Sequence, residues 1–132
     1  MAEHSIRLAR AWELRGNPPD AAPPRRVDLP ARWSSVGAEG PVRLLRRFGR
    51  PAVDPAEHAV ALELADVPGL GAVRLNGRVV GAGLPGAAGP TRIALGDGLE
   101  PRNTLELDVD LNAAAPGSPW GMIALVIGPR PG

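Results

Sequence analysis

The stretch 103–111 constrains this chain more than any other. It reads NTLELDVDL. Leu105, Leu107, Val109 and Leu111 fall to one side of an extended backbone, and Glu106, Asp108 and Asp110 to the other. A period of two is the mark of a strand with one buried face, and antiparallel sheets are where such strands occur. A strand of this kind cannot bury its apolar face alone. It needs a second layer.

The rest of the chain supplies the partners. Residues 5–14 alternate, with Ile6, Leu8, Trp12 and Leu14 in one phase. Residues 25–29 form a short segment after the Pro-rich loop 17–24. Residues 42–48 set Val42, Leu44 and Phe48 in phase, and residues 58–66 set Val60, Leu62 and Leu64 opposite Glu63. Segments 72–75 and 78–80 flank Asn76-Gly77. Both central residues of a type I′ turn need positive φ, so Asn-Gly between apolar runs predicts a hairpin. Residues 91–95 and the run from Met122 to Ile127 complete the series.

The 17 glycines and 16 prolines make up a quarter of the 132 residues, and they fall between the patterned segments. They read as turn punctuation in an all-β protein. The expected fold is a jelly-roll-like β-sandwich of about eight antiparallel strands, as one domain over 1–132.

Composition excludes several classes. There is no cysteine, so there is no disulfide framework and no thiolate metal site. The net charge is +1, all 15 basic residues are arginine, and no basic stripe with interleaved aromatics points to nucleic acid. No run approaches a membrane span. Met1 to Arg15 has no uninterrupted apolar core of a secretory signal, so the expected compartment is the cytoplasm.

The order of landmarks resembles the sugar-binding, jelly-roll domain of family-two glycoside hydrolases, the β-galactosidase and β-glucuronidase group. Leu29-Pro30 with Trp33 is similar to its "P..W" segment. Arg46-Arg47-Phe48 with Pro51 is similar to its "R.F..P" strand. Val73 to Gly77 with Gly81 resembles its "V.vNG..vG" hairpin. Leu99, Asn103, Leu105, Leu107 and Val109 resemble its "L..g.N.l.v.v" segment.

The resemblance implies a galactose-binding-domain-like sandwich and a non-catalytic, carbohydrate-binding role. The catalytic carboxylates of that family lie on a separate TIM-barrel domain, and the chain is expected to end before one begins. Two features depart from the pattern. Leu44-Leu45 stand where the family usually has Tyr, and loop 81–90, GAGLPGAAGP, lacks its His and aromatics. A structural or protein-interaction sandwich without a sugar site is therefore the competing reading.

No catalytic constellation can be assembled, so the chain is read as no enzyme. Glu106, Asp108 and Asp110 repeat at about 7 Å along one strand. Glycosidase carboxylate pairs sit about 5 to 10 Å apart but face each other from different elements, so a solvated acidic face is preferred. Calcium needs converging oxygens rather than a row. His4 and His58 have no partner at metal-ligand spacing, and no cofactor or metal is called for. Arg43, Arg46, Arg47 and Arg50 crowd one segment, and the plain reading packs their stems and pairs them with acids.

Aromatics are few: Trp12, Trp33, Trp120 and Phe48. Trp12 is in phase with the core. Trp33 and Trp120 sit beside turns where they could be exposed, and sugar sites usually stack a ring on an aromatic face. With Asn76 of the hairpin turn they are the candidate ligand-binding residues, although scarce tryptophans more often plug a core. The run Met122 to Ile127 is apolar on both faces. Either loops cover its outer face, or a second copy or protein partner does.

Overall fold

The computed structural model describes residues 3–16, 23–54, 56–82, 90–115 and 117–130. Most of loop 81–90 and of loop 17–24 lies outside the described residues. Among the described residues ten strands run in chain order: β1 (His4–Arg7), β2 (Trp12–Gly16), β3 (Arg25–Val27), β4 (Pro41–Gly49), β5 (His58–Ala65), β6 (Leu70–Leu75), β7 (Arg78–Ala82), β8 (Thr91–Ala94), β9 (Arg102–Asp110) and β10 (Met122–Pro129). A one-turn helix, α1 (Trp33–Val36), and 3-10 turns at Gly96–Gly98 and Leu111–Ala113 complete the described elements. Among the described residues no helix is long and apolar enough to cross a membrane.

The strands form two antiparallel sheets, one ordered β1-β10-β5-β8 and the other β3-β2-β4-β9-β6-β7. The expected all-β, jelly-roll-like sandwich is what forms. The core lies between the sheets. Leu44, Val73, Leu75, Leu105 and Leu107 of the large sheet meet Leu62, Leu64, Ile123 and Leu125 of the small one, all at most 2% exposed. β9 behaves as its alternation requires, with Asn103, Leu105, Leu107 and Val109 buried and the residues between them half-buried. The hairpin is also as read: Asn76 and Gly77 have φ of 53° and 85°, the left-handed pair of a type I′ turn.

One expected strand is two. Residues 5–14 break at Ala11, whose φ is 66°. β1 joins the small sheet and β2 the large one, so the chain crosses the sandwich at the break. The Trp12 Nε1–H donates to Leu8 O at 2.7 Å across it. Ile6 keeps the core-facing phase, in register with Leu125, but β1 is an edge strand and Ile6 stays 38% exposed.

On the outer face of the small sheet Val126 is 3% exposed. Two rows cross that face. One is Ser5, Val126, Ala61 and Ala94, and the other is Arg7, Ala124, Glu63 and Arg92. Arg92 sits on the β8 edge. It donates to Glu63 at 2.8 Å and, with both terminal nitrogens, to Glu3 at 2.6 and 2.9 Å. Glu3 precedes β1 at the opposite edge, so this bridge passes over β5 and β10. The alanines and Gly128 between leave room for it. The Arg92 charge is thus paired with a carboxylate from each of two neighbouring segments.

Candidate functional site

The candidate residues fall at opposite ends of the sandwich. Pro41 pairs with Asp110 and Gly49 with Arg102, so the residues after Asp110 mark one end and the Asn76 turn marks the other.

Trp33 and Trp120 meet at the first end. Ala31 and Trp120 exchange both main-chain hydrogen bonds at 2.9 Å, which folds the Gly117–Trp120 segment onto the start of α1. Gly37, with φ of 75°, caps α1 by donating to Trp33 O at 2.8 Å. The two indoles lie with centroids 5.5 Å apart and planes tilted by 55°, a favourable aromatic arrangement. They are 2% and 1% exposed, so the expectation that these tryptophans could be exposed is corrected. The Ala31–Trp120 bridge brings the first residue of α1 and a loop residue together as a plug. The Trp120 Nε1–H donates to Pro68 O at 2.9 Å, whereas the Trp33 Nε1–H meets no acceptor among the described residues.

α1 separates two open clefts. One, of about 640 Å³, is lined by Arg25, Asp28, Arg32 and Ser35 among others. Two of its arginines hold loops together: Arg25 donates to Val36 O at 2.9 Å and Arg32 to Gly117 O at 3.2 Å. The other, of about 520 Å³, is lined by Trp33, Ser34, Glu39 and Asn112 among others.

Asn76 lies at the far end, away from the tryptophans. Its Nδ2 donates to Gly98 O at 3.2 Å and to Asn103 Oδ1 at 3.0 Å, and its Oδ1 accepts the Thr104 N–H at 2.8 Å. Both amide protons are therefore engaged inside the protein. Asn103 is 2% exposed. Its Oδ1 also accepts the Glu100 N–H at 2.8 Å, and its Nδ2 donates to Glu100 O at 2.8 Å. Together the two asparagines clip the β6–β7 turn to the approach of β9.

Beside this clip is a more enclosed cleft of about 310 Å³, lined by Arg50, Val53, His58, Val60, Leu99 and Arg130 among others. Residues from four separate segments meet there. The sequence offered no spacing that could have found it: Arg50 reads as one of a crowd of arginines and His58 as a strand start.

The acidic row is not a freely solvated face. Asp108 accepts from Arg43 Nε at 2.9 Å and from Arg74, and Arg43 lies 3.6 Å from Glu106. Arg43 is directly opposite Asp108 in the β4–β9 register. Burial alone raises the Asp108 carboxyl, but the hydrogen bonds from Arg74 and Arg43 outweigh it and hold it below its ordinary value. Asp110 accepts the Asn112 N–H at 3.0 Å and caps the following 3-10 turn. Of the four arginines expected to pair with acids only Arg43 does so among the described residues; Arg46, Arg47 and Arg50 depart from that expectation. Arg46 is held instead by the main chain. It donates to the carbonyls of Arg10 and Arg47, and burial pushes its guanidinium below the usual arginine value. Among the described residues no three His, Cys, Asp or Glu are grouped to hold a metal ion.

The two-sheet β-sandwich is a fold also found as a segment of glycoside hydrolases, as the landmark order implied. No protein-family model and no curated protein matches the chain. Solved structures do. An FMN-binding β-glucuronidase from Faecalibacterium prausnitzii superposes with a TM-score of 0.74 at 22% identity, over 96% of this chain and 23% of that one. A β-galacturonidase from Eisenbergiella tayi gives 0.69 at 16% identity, over 100% of this chain and 25% of that one. A β-glucuronidase from Ruminococcus gnavus gives 0.72 at 14% identity, over 98% and 28%. The chain thus has the fold of a segment about a quarter the length of the glycosidases it matches.

Proposed function

We propose that this chain is a non-catalytic accessory β-sandwich that acts through contacts made by its surface. The engagement of its strand carboxylates carries this reading. Asp108 and Glu106 sit against Arg43 and Arg74, so neither is placed as a general acid or a nucleophile. The similarity to roughly a quarter of each glycosidase supports it too. Incubation with aryl β-glucuronides and β-galactosides tests it. No release of the aryl group is expected, and turnover that survives repurification would overturn the proposal.

Two kinds of contact compete, and one observation separates them. All four aromatic side chains are buried: Trp12 at 0%, Trp33 at 2%, Trp120 at 1% and Phe48 at 9%. A sugar ring stacked on an aromatic face has no platform of that kind here. This favours a structural or protein-interaction role over carbohydrate binding. Carbohydrate recognition would have to rest on polar groups at the clefts. A glycan array followed by titration calorimetry decides: silence at millimolar sugar supports the structural role, and specific binding restores the sugar reading.

A contact through Met122 to Ile127 belongs to the same proposal. Met122 is 37% exposed beside Arg7, which donates to its sulfur at 3.5 Å. Light scattering tests self-association, and a strict monomer at high micromolar concentration would remove the homo-oligomer form of the idea.

A further inference from the structure

The cleft beside the asparagine clip has the chemistry of a small-anion site. Val53, Val60 and Leu99 give it an apolar lining, and Arg50, His58 and Arg130 bring nitrogen donors to it. No acidic residue is among its described lining. The three polar residues are also held at the backbone. Arg50 N–H donates to Pro101 O at 3.2 Å, His58 N–H to Asp54 O at 2.9 Å, and Arg130 N–H to Glu57 O at 2.8 Å.

The decisive residue is Arg50. Several arginines besides it, Arg10, Arg26 and Arg102 among them, have no side-chain partner among the described residues, so what sets Arg50 apart is its place in this cleft. Arg50 alone among the cleft's donors has no side-chain partner among the described residues. A guanidinium left without a partner at the mouth of an apolar cleft can take a carboxylate through two parallel hydrogen bonds.

We propose that this cleft binds a small molecule carrying one carboxylate on a compact apolar body. The carboxylate would pair with the Arg50 guanidinium, while the apolar body covers Val53, Val60 and Leu99. At about 310 Å³ the cleft is at the small end of ligand sites, which suits a ring of six atoms. A bare, strongly hydrated anion such as phosphate would leave that lining uncovered. This inference is independent of whether the chain binds sugars.

Benzoate is the probe, with benzamide as its uncharged counterpart, acetate as its counterpart without the ring, and inorganic phosphate as a bare anion. Amide shifts of the full chain are followed during titration. Benzoate should bind with a dissociation constant on the order of 1 mM and move the amides of His58, Val60 and Leu99 first. Benzamide and acetate should each bind about tenfold more weakly or not at all. Arg50→Ala should weaken benzoate by about tenfold, and Arg50→Lys should recover part of the loss. Arg50 is exposed, so both variants should melt with the parent protein. Benzoate shifts centred elsewhere, unchanged affinity in Arg50→Ala, or phosphate binding more tightly than benzoate would each overturn the proposal.

Discussion

The two ends of the sandwich are closed by opposite chemistry. At one end, two indoles fill the gap between sheets, and a single hydrogen bond, from Trp120 to Pro68, satisfies one of their two N–H groups. At the other, Asn76 and Asn103 stitch a turn to a strand through amide groups whose protons are all engaged. The apolar plug gains its stability from area and tolerates an unpaired donor at a cost. The polar clip gains from complete pairing and loses when any one member is removed. Burial therefore means different things at the two ends, and mutations should separate them.

The largest effect is expected at the plug. Trp120→Ala removes a fully buried side chain and should cost about 3–5 kcal/mol in denaturant unfolding. Close behind is a backbone site at the same end. Gly69 has φ of 85°, and a Cβ there would lie 2.2 Å from Asp110 O. Gly69→Ala should cost about 2–4 kcal/mol, because neither the carbonyl nor the β9 terminus can step aside. A near-neutral result would mean that this end is looser than its packing implies.

At the clip, Asn103→Ala should cost about 2–3 kcal/mol by leaving the Glu100 N–H and an Asn76 amide proton without acceptors. Asn103→Leu, which fills the volume but pairs nothing, should be no better. If Leu rescues, the clip is held by packing and the contrast between the ends fails.

A finer comparison lies within the plug. Trp120→Phe breaks the bond to Pro68, while Trp33→Phe removes a donor that has no partner. Both lose ring area, so the difference isolates the hydrogen bond. Trp120→Phe should be the more destabilising by about 1 kcal/mol. Equal costs would show that the Trp33 N–H has an acceptor of its own.

The smallest effect lies away from both ends, on the small sheet. The hydrogen bond from Arg92 holds the Glu3 carboxyl below its usual value. A lowered carboxyl contributes stability above the usual carboxylate range and loses it as pH falls through the lowered value. Melting temperatures of the parent and Glu3→Gln should therefore differ near neutrality and converge in acid. A gap that persists below the carboxylate range would rule out the ion pair as its source.

Much of the frame could be read from local pattern, because local pattern is what determines it. β9 shows its buried face in its alternation. The Asn76-Gly77 turn shows itself in the φ that its residues tolerate. The break at Ala11 could not be read, since alanine carries no mark of a left-handed conformation. The plug could be read only in kind. Scarce tryptophans more often fill a core, but the meeting of Trp33 and Trp120 depends on a bridge between residues 31 and 120 that no local pattern marks. The same holds for the acidic row, whose partners Arg43 and Arg74 arrive from neighbouring strands. The cleft at Arg50, His58 and Arg130 is the extreme case, a meeting of distant segments with no trace in spacing.

The pairing of β1 with β10 has a consequence for how such a unit can be deployed. His4 lies opposite Ile127, so the polypeptide enters and leaves the sandwich on adjacent strands. A module with neighbouring ends can be spliced into a host loop as a closed excursion, or its ends joined and the chain reopened at a hairpin, without moving any layer. Circular permutants opened at Asn76-Gly77 would lose the clip. Those opened beyond the described end of β7 would keep it.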